Sequence, residues 1–200
     1  MWSYEKKLQY PINIKKPDPA FARLMITQFG GPDGENGAAM RYLSQRYSMP
    51  NKEVVGILTD IGTEELAHQE MIAAMVYQLT RGLTPEQLKE GGLDAYFVDH
   101  TMGIYPVSAS GVPFSATAFQ SKGDALTDIF EDLAAEQKAR TTYDNLLRFT
   151  DDPDVVDPLR FLRQREVTHF QRFGDGLRLI QDDLNSKNFY AYNPSFDKKR

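Results

Sequence analysis

Two hundred residues with a net charge of −5 suit one globular domain with a substantial core. The acidic balance argues against nucleic-acid or anionic-membrane partners, and the absence of cysteine excludes disulfides, thiolate metal sites and a cysteine nucleophile. With no apolar run of about 18 residues and no signal-like start, synthesis in the cytoplasm without a signal peptide or membrane anchor is expected.

In chain order, residues 1–17 read as an extended arm, because Tyr10-Pro11 and Lys16-Pro17 disfavour helix. Asp18 is a natural N-cap with Pro19 in the first turn, opening a helix through Phe21, Leu24, Met25 and Phe29. Gly30-Gly-Pro-Asp-Gly34 interrupts it, and helical periodicity resumes from Glu35 through Met40, Leu43 and Tyr47. Ser48-Met-Pro-Asn51 is a turn, and the next helix runs to about Leu79, with Gly82 beyond its end. Residues 91–123, rich in Gly, Ser and Pro after His100, predict a long crossover loop without helical period. Its Tyr96, Phe97, Tyr105, Phe114 and Phe119 carry too much apolar area to lie free in water, so the crossover should pack on the bundle or a neighbouring subunit. A third helix from Asp124 to Phe149, the turn Asp151-Asp152-Pro153 and a fourth helix to roughly Leu184 complete a single domain over 1–185. Residues 186–200 read as a polar, basic-ended tail.

The chemistry is carried by four glutamates and two histidines. Glu35 precedes Glu65-Leu-Ala-His68, and Glu136 precedes Glu166-Val-Thr-His169, with the same glutamate-to-glutamate gap of 30 and glutamate-to-histidine gap of 33. Positions i and i+3 share a helix face, so each pair aims a carboxylate and an imidazole the same way. A Glu from two helices with Glu-x-x-His from two others is the ligand set of two-metal carboxylate bundles. Each arm from ligand to turn is roughly 20 Å at 1.5 Å per residue, so the glutamates of each antiparallel hairpin lie at equal depth. Two hairpins and one long crossover predict an all-α, ferritin-like four-helix bundle with the six residues at its middle.

Charged groups in a bundle core are penalised unless paired or metal-bound. Carboxylate and imidazole donors without sulfur suit manganese or iron, and a pair cycling between +2 and +3 moves two electrons. Peroxide dismutation, ferroxidase activity and oxygenation all remain compatible with the spacing. Other residues read more plainly. Met71, Ile72 and Met75 form a core stripe. Glu64 and Glu70 fall off the ligand face and are expected at solvent or subunit contacts. Asp132 is expected at the surface, with a place beside the site as the alternative. Arg140 reads equally as a surface ion pair or a partner of a site carboxylate. His100 reads as an ordinary polar residue.

Several stretches carry a family likeness: Tyr4-Glu-Lys-Lys-Leu-Gln-Tyr10, Gln28-Phe-Gly-Gly-Pro-Asp-Gly-Glu35, Met40-Arg-Tyr-Leu-Ser-Gln-Arg46, Asp60-Ile-Gly-Thr-Glu-Glu-Leu-Ala-His68, Ala134-Ala-Glu136 and Phe161-Leu-Arg-Gln-Arg-Glu-Val-Thr-His169. On these the chain resembles the manganese catalases, in particular a short spore-coat type. The resemblance implies two manganese ions per subunit, with iron as the alternative, held by Glu35, Glu65, His68, Glu136 and His169. Glu65 is favoured as the bridging carboxylate. It further implies Glu166 as an unligated proton shuttle, Tyr42 as a tyrosine hydrogen-bonded near the site, and hydrogen peroxide as substrate. A homohexamer in the spore coat, beside other coat proteins, is the implied assembly, with a cytoplasmic location as the alternative. Two departures stand out. Ala135 replaces an arginine that some members carry before the third glutamate, which implies lower turnover. Little chain follows helix four, where longer members have an extension that embraces neighbouring subunits. The rival readings are a di-iron ferroxidase or oxygenase and a structural coat protein with a low-activity metal site.

Overall fold

In the computed structural model, residues 3–187 are described. Among them regular structure is helical, with one isolated antiparallel bridge between Val107 and Pro113. Four long helices dominate: α3 (Glu35–Gln45), α4 (Lys52–Thr80), α7 (Ala125–Leu146) and α8 (Pro153–Lys187). Two shorter ones, α1 (Pro19–Met25) and α2 (Thr27–Gly30), precede α3, and two more, α5 (Pro85–Glu90) and α6 (Asp94–His100), lie between α4 and α7. Local chemistry sets the boundaries. Side chains of Asp18, Asn51 and Asp124 accept the backbone N–H of Phe21, Val54 and Thr127, satisfying donors that each helix start would otherwise orphan. Such a cap is worth about 1 kcal/mol.

The long helices bury stripes with alternating spacings of four and three residues. In α4 the stripe is Val54, Leu58, Ile61, Glu65, His68, Ile72, Met75 and Leu79; in α8 it is Val155, Leu159, Leu162, Glu166, His169, Phe173, Gly176, Ile180 and Leu184. This is the seam pattern of packed helices, with polar residues in its middle. The apolar parts form two separate clusters, and their membership fixes helix direction. Along α4 the chain passes from the cluster of Val54, Leu58 and Ile61 to that of Ile72, Met75 and Leu79. Along α8 it passes the opposite way, from Leu159 and Leu162 to Phe173 and Ile180. Helix α7 runs from Ala125 and Ile129 in one cluster to Tyr143 and Leu146 in the other, antiparallel to α8. The expected bundle of two antiparallel hairpins is therefore present, and the polar centre lies between two apolar layers. Gly62 lets α3 and α4 approach closely, since a Cβ there would meet Leu43 Cγ at 2.8 Å.

The crossover departs from expectation. Besides α6, residues 116–119 form a 3-10 turn, and α5 lies just before the segment. Helix α5 has a capping box in which Thr84 and Gln87 satisfy each other's backbone N–H. A six-residue element is too short to register as a helical period, which hid these turns. Helix three ends at Leu146 rather than Phe149, and helix four continues to Lys187. The predicted tail lies outside the described residues except for Ser186 and Lys187, which extend α8.

The crossover is strapped to the bundle, as its aromatics required. Tyr96 and Phe97 pack on the core cluster beneath them. Phe114 and Phe119 are half-buried over Gly37, while Tyr105 stays 52% exposed. Buried Arg41 donates from Nη2 to Ala118 O at 2.9 Å and from Nε to Phe119 O at 3.2 Å. At Gly30 the backbone of Pro106 comes so close that a Cβ would lie 2.2 Å from its carbonyl carbon. Native protein is accordingly expected to resist limited proteolysis between Tyr105 and Phe119. Rapid cleavage there, followed by mass spectrometry, would show a loose loop instead.

Candidate metal centre

The six residues singled out by spacing meet at mid-bundle. Glu35 comes from the first turn of α3, Glu65 and His68 from α4, Glu136 from α7, and Glu166 and His169 from α8; none is more than 1% exposed. Glu65 stands between the imidazoles. Its Oε2 is 2.7 Å from His68 Nδ1 and its Oε1 is 2.9 Å from His169 Nδ1. His68 Nδ1 lies 3.7 Å from Glu35 and 3.9 Å from Glu166, and His169 Nδ1 lies 3.5 Å from Glu136. The two rings stack with centroids 5.5 Å apart.

Two groups of candidate ligands result. Glu35, Glu65, His68 and Glu166 each offer a donor atom within 4.8 Å of the others, and so do Glu65, Glu136, Glu166 and His169. The groups share Glu65 and Glu166, which makes the arrangement nearly two-fold. The sequence has the same symmetry: Glu35, Tyr42, Glu65 and His68 each have a counterpart of the same type 101 positions later.

The donor atoms fit cations better than they fit one another. Glu65 Oε1, both oxygens of Glu136, Glu166 Oε1 and His169 Nδ1 are buried without a hydrogen bond. Glu65 Oε1 and His169 Nδ1 are close yet unbonded, their free atoms turned to the same small volume. Buried polar atoms are nearly always satisfied, so five orphans in one place call for a missing partner. Oxygen and imidazole donors in this number fit two divalent transition metals.

The metal-free electrostatics agree. Burial, then the neighbouring Glu65, pushes Glu35 up to about 8. Burial and the charges of Glu35, Glu65 and Glu136 hold Glu166 well above the ordinary carboxyl range. Burial also pushes Glu65 upward, but the two histidines outweigh it and keep this carboxyl low. Both histidines are raised, because the surrounding glutamates overcome their desolvation. For raised carboxyl and imidazole groups alike, the folded chain retains protons that the unfolded chain releases. Stability of the metal-free protein should therefore fall as pH rises from 4.5 toward 8, the span of the Glu35 shift. Metal binding must displace these protons, so manganese affinity should rise over the same span. Melting curves and manganese titrations at pH 5 and pH 8 check both signs.

Around the six lie residues that spacing placed less well. Tyr42 is buried, its ring edge-on to Phe173 at 4.8 Å, and it acts on Glu136 across the bundle, easing the upward push of burial on that carboxyl. Its counterpart Tyr143 donates to Glu35 Oε1. Tyr143 follows Glu136 by seven positions, as Tyr42 follows Glu35, so the internal repeat was the signal that could have found it.

Two expectations fail. Asp132 is fully buried instead of at the surface, because it occupies the stripe Ile129, Asp132, Glu136, Ala139, Tyr143, with Arg41 nearby partly offsetting its burial. Glu64 is turned largely away from solvent and onto α8, not out to the solvent expected for it. It receives Arg165 Nε at 2.7 Å and Nη2 at 3.1 Å, and lies 3.0 Å from His169 Nε2. Helix α8 covers that face of α4, which the periodicity of α4 alone cannot reveal. Glu70 accepts the Tyr4 hydroxyl, Arg140 pairs with Asp144 away from the site, and Met71, Ile72 and Met75 are core as expected. His100 closes α6, stacked on Tyr105 with centroids 4.1 Å apart.

Comparison with known proteins decides the family. The family model described as manganese containing catalase matches residues 1–192. The chain belongs to the manganese catalase family. It is 52% identical over 190 residues to Protein CotJC of Bacillus subtilis, covering 95% of this chain and all of that one. Against the manganese catalase of Lactiplantibacillus plantarum it is 32% identical over 199 residues, covering 94% of this chain and 73% of the other. The crystal structure of KatB, a manganese catalase from Anabaena, superposes with a TM-score of 0.84 at 30% identity, covering 90% of this chain and 81% of that one. Fold and family thus agree with a ferritin-like bundle, and family membership implies manganese at the buried Glu/His cluster.

Proposed function

We propose that the protein is a manganese-dependent catalase that converts two hydrogen peroxide molecules into one oxygen and two waters. The observation that carries this reading is the set of five unbonded donor atoms converging in a buried, nearly two-fold cluster. Glu35, Glu65, His68, Glu136 and His169 would hold two manganese ions, a reading supported by Glu65 having one oxygen beside each imidazole. When bound, such a pair supplies a two-electron reservoir that is reduced by one peroxide and reoxidised by the next.

The residues of the chain do the remaining work. Glu166, whose hold on a proton is raised by burial and three carboxylate neighbours, would carry one of the two protons given up by the first peroxide and return it to an oxygen released from the second, the other proton being exchanged with solvent. Tyr143 holds Glu35 through its hydroxyl, and its counterpart Tyr42 lies buried beside Glu136. Ile61 and Phe173 on one side, and Ile72 and Met75 on the other, exclude bulk water, which strengthens every polar interaction inside.

A second reading is favoured by one observation. Glu166 belongs to both ligand groups, so a symmetric set of four glutamates and two histidines also suits a di-iron ferroxidase or oxygenase. An elemental count beside an oxygen-electrode assay on one sample separates the two. Manganese-loaded protein evolving oxygen from peroxide supports the catalase; iron loading without oxygen evolution supports the rival. Buried Ala135, where some relatives place an arginine, points to modest turnover, and negligible turnover with bound manganese would indicate a structural coat role. We place the protein in the spore coat as a homohexamer, an assignment supported by the short-form resemblance and testable by fractionation and sedimentation.

A further inference from the structure

The two equivalent positions just before Glu65 and Glu166 carry opposite charges, Glu64 and Arg165, and these two side chains meet. The fork of Arg165 grips both oxygens of Glu64, at 2.7 Å and 3.1 Å. Gln9 of the N-terminal arm donates to Glu64 Oε1 at 2.6 Å. Held from two sides, the carboxylate reaches the imidazoles from behind: Oε2 is 3.0 Å from His169 Nε2, and Oε1 is 3.7 Å from His68 Nε2, which has no hydrogen bond of its own. Both rings turn their Nδ1 atoms to the cluster. An imidazole can donate its lone pair through Nδ1 only if its proton sits on Nε2, and an acceptor behind Nε2 selects that tautomer and stops the ring from turning.

We propose that Glu64 is the positioning residue of the metal centre: one carboxylate, clamped by Arg165 and tied to the N-terminal arm through Gln9, orients His169 directly and serves as the nearest acceptor for His68. This rests on the reading of the cluster as a metal centre. Because Arg165 neutralises Glu64, the clamp orients the rings without adding net charge beside the ions. Arginine is suited to this and lysine is not, since only the planar fork engages both oxygens. The arm therefore has a part in the centre, with Gln9 linking the arm to the histidines.

The test is manganese(II) titration of the full chain and of its E64Q, R165K and Q9M variants. It is read by bound metal per chain and by the electron paramagnetic resonance spectrum of the loaded protein, with melting of the metal-free proteins alongside. E64Q is expected to weaken manganese affinity about 10- to 100-fold and to alter the spectrum, as removal of a partner behind a ligand histidine does. R165K and Q9M should weaken it less, with melting of the metal-free form close to the parent. Should E64Q not fold, R165K and Q9M decide alone, since Gln9 is exposed and the R165K change keeps the positive charge. A parent that takes up no manganese would overturn the metal-centre reading and this one with it. A parent that loads normally, beside folded variants with the same affinity and spectrum, would overturn the positioning role alone.

Discussion

His68→Ala and Glu136→Ala are each expected to lose manganese affinity by more than about 100-fold, since even partners behind a ligand are worth about 10- to 100-fold. Each substitution removes one member of a four-residue group, and the groups share only Glu65 and Glu166. The effect should appear as lost linkage. Manganese at about 100 times its dissociation constant should stabilise the parent by about 2.7 kcal/mol, and the variants hardly at all. Melting curves with and without manganese(II) measure this. Without metal, Glu136→Ala also removes a carboxyl whose ionisation burial and Glu65 both oppose, so the metal-free variant should not lose stability in proportion. A variant still stabilised by manganese to the parental extent would show that the residue is not a ligand.

Glu166→Gln is expected to retain manganese while oxygen evolution falls about 100- to 10,000-fold, the usual contribution of a general acid–base group. The carboxamide matches the carboxyl in size and leaves the packing between Leu162 and Phe173 intact. It cannot carry the exchangeable proton that burial and neighbouring carboxylates favour on Glu166. Metal content and oxygen evolution should therefore separate. If both fall together, Glu166 is a sixth ligand, as its membership of both groups allows.

The six central residues were legible in the sequence because two constraints coincide there. Their spacing repeats across the two hairpins, and they occupy positions of a four–three stripe where leucine and isoleucine would otherwise stand. The hairpins were legible for the same reason, together with the cap at Asp18, the turn at Ser48–Asn51 and the helix start at Asp124. What periodicity missed was whatever depends on contact between helices. Glu64 lies off the face of α4 that spacing selects, yet α8 delivers Arg165 and His169 to it. Asp132 looked like a surface acid until α3 brought Arg41 beside it. Tyr143 was readable from the internal repeat, although the partner it serves, Glu35, lies on the other hairpin. The short helices α5 and α6 escaped notice because one or two turns give too few positions for a period; α5 alone carries a local mark, the Thr84–Gln87 capping box, while α6 starts after Leu93 without a side-chain cap.

The central claim is that the unbonded donors of Glu65, Glu136, Glu166 and His169, together with Glu35 and His68, surround a pair of manganese ions. Anomalous diffraction at the manganese edge from crystals of the manganese-loaded protein tests it most directly. Two peaks per chain are predicted, one beside His68 and Glu35, the other beside His169 and Glu136, with Glu65 between them. A loaded crystal with no anomalous peak inside the cluster would contradict it.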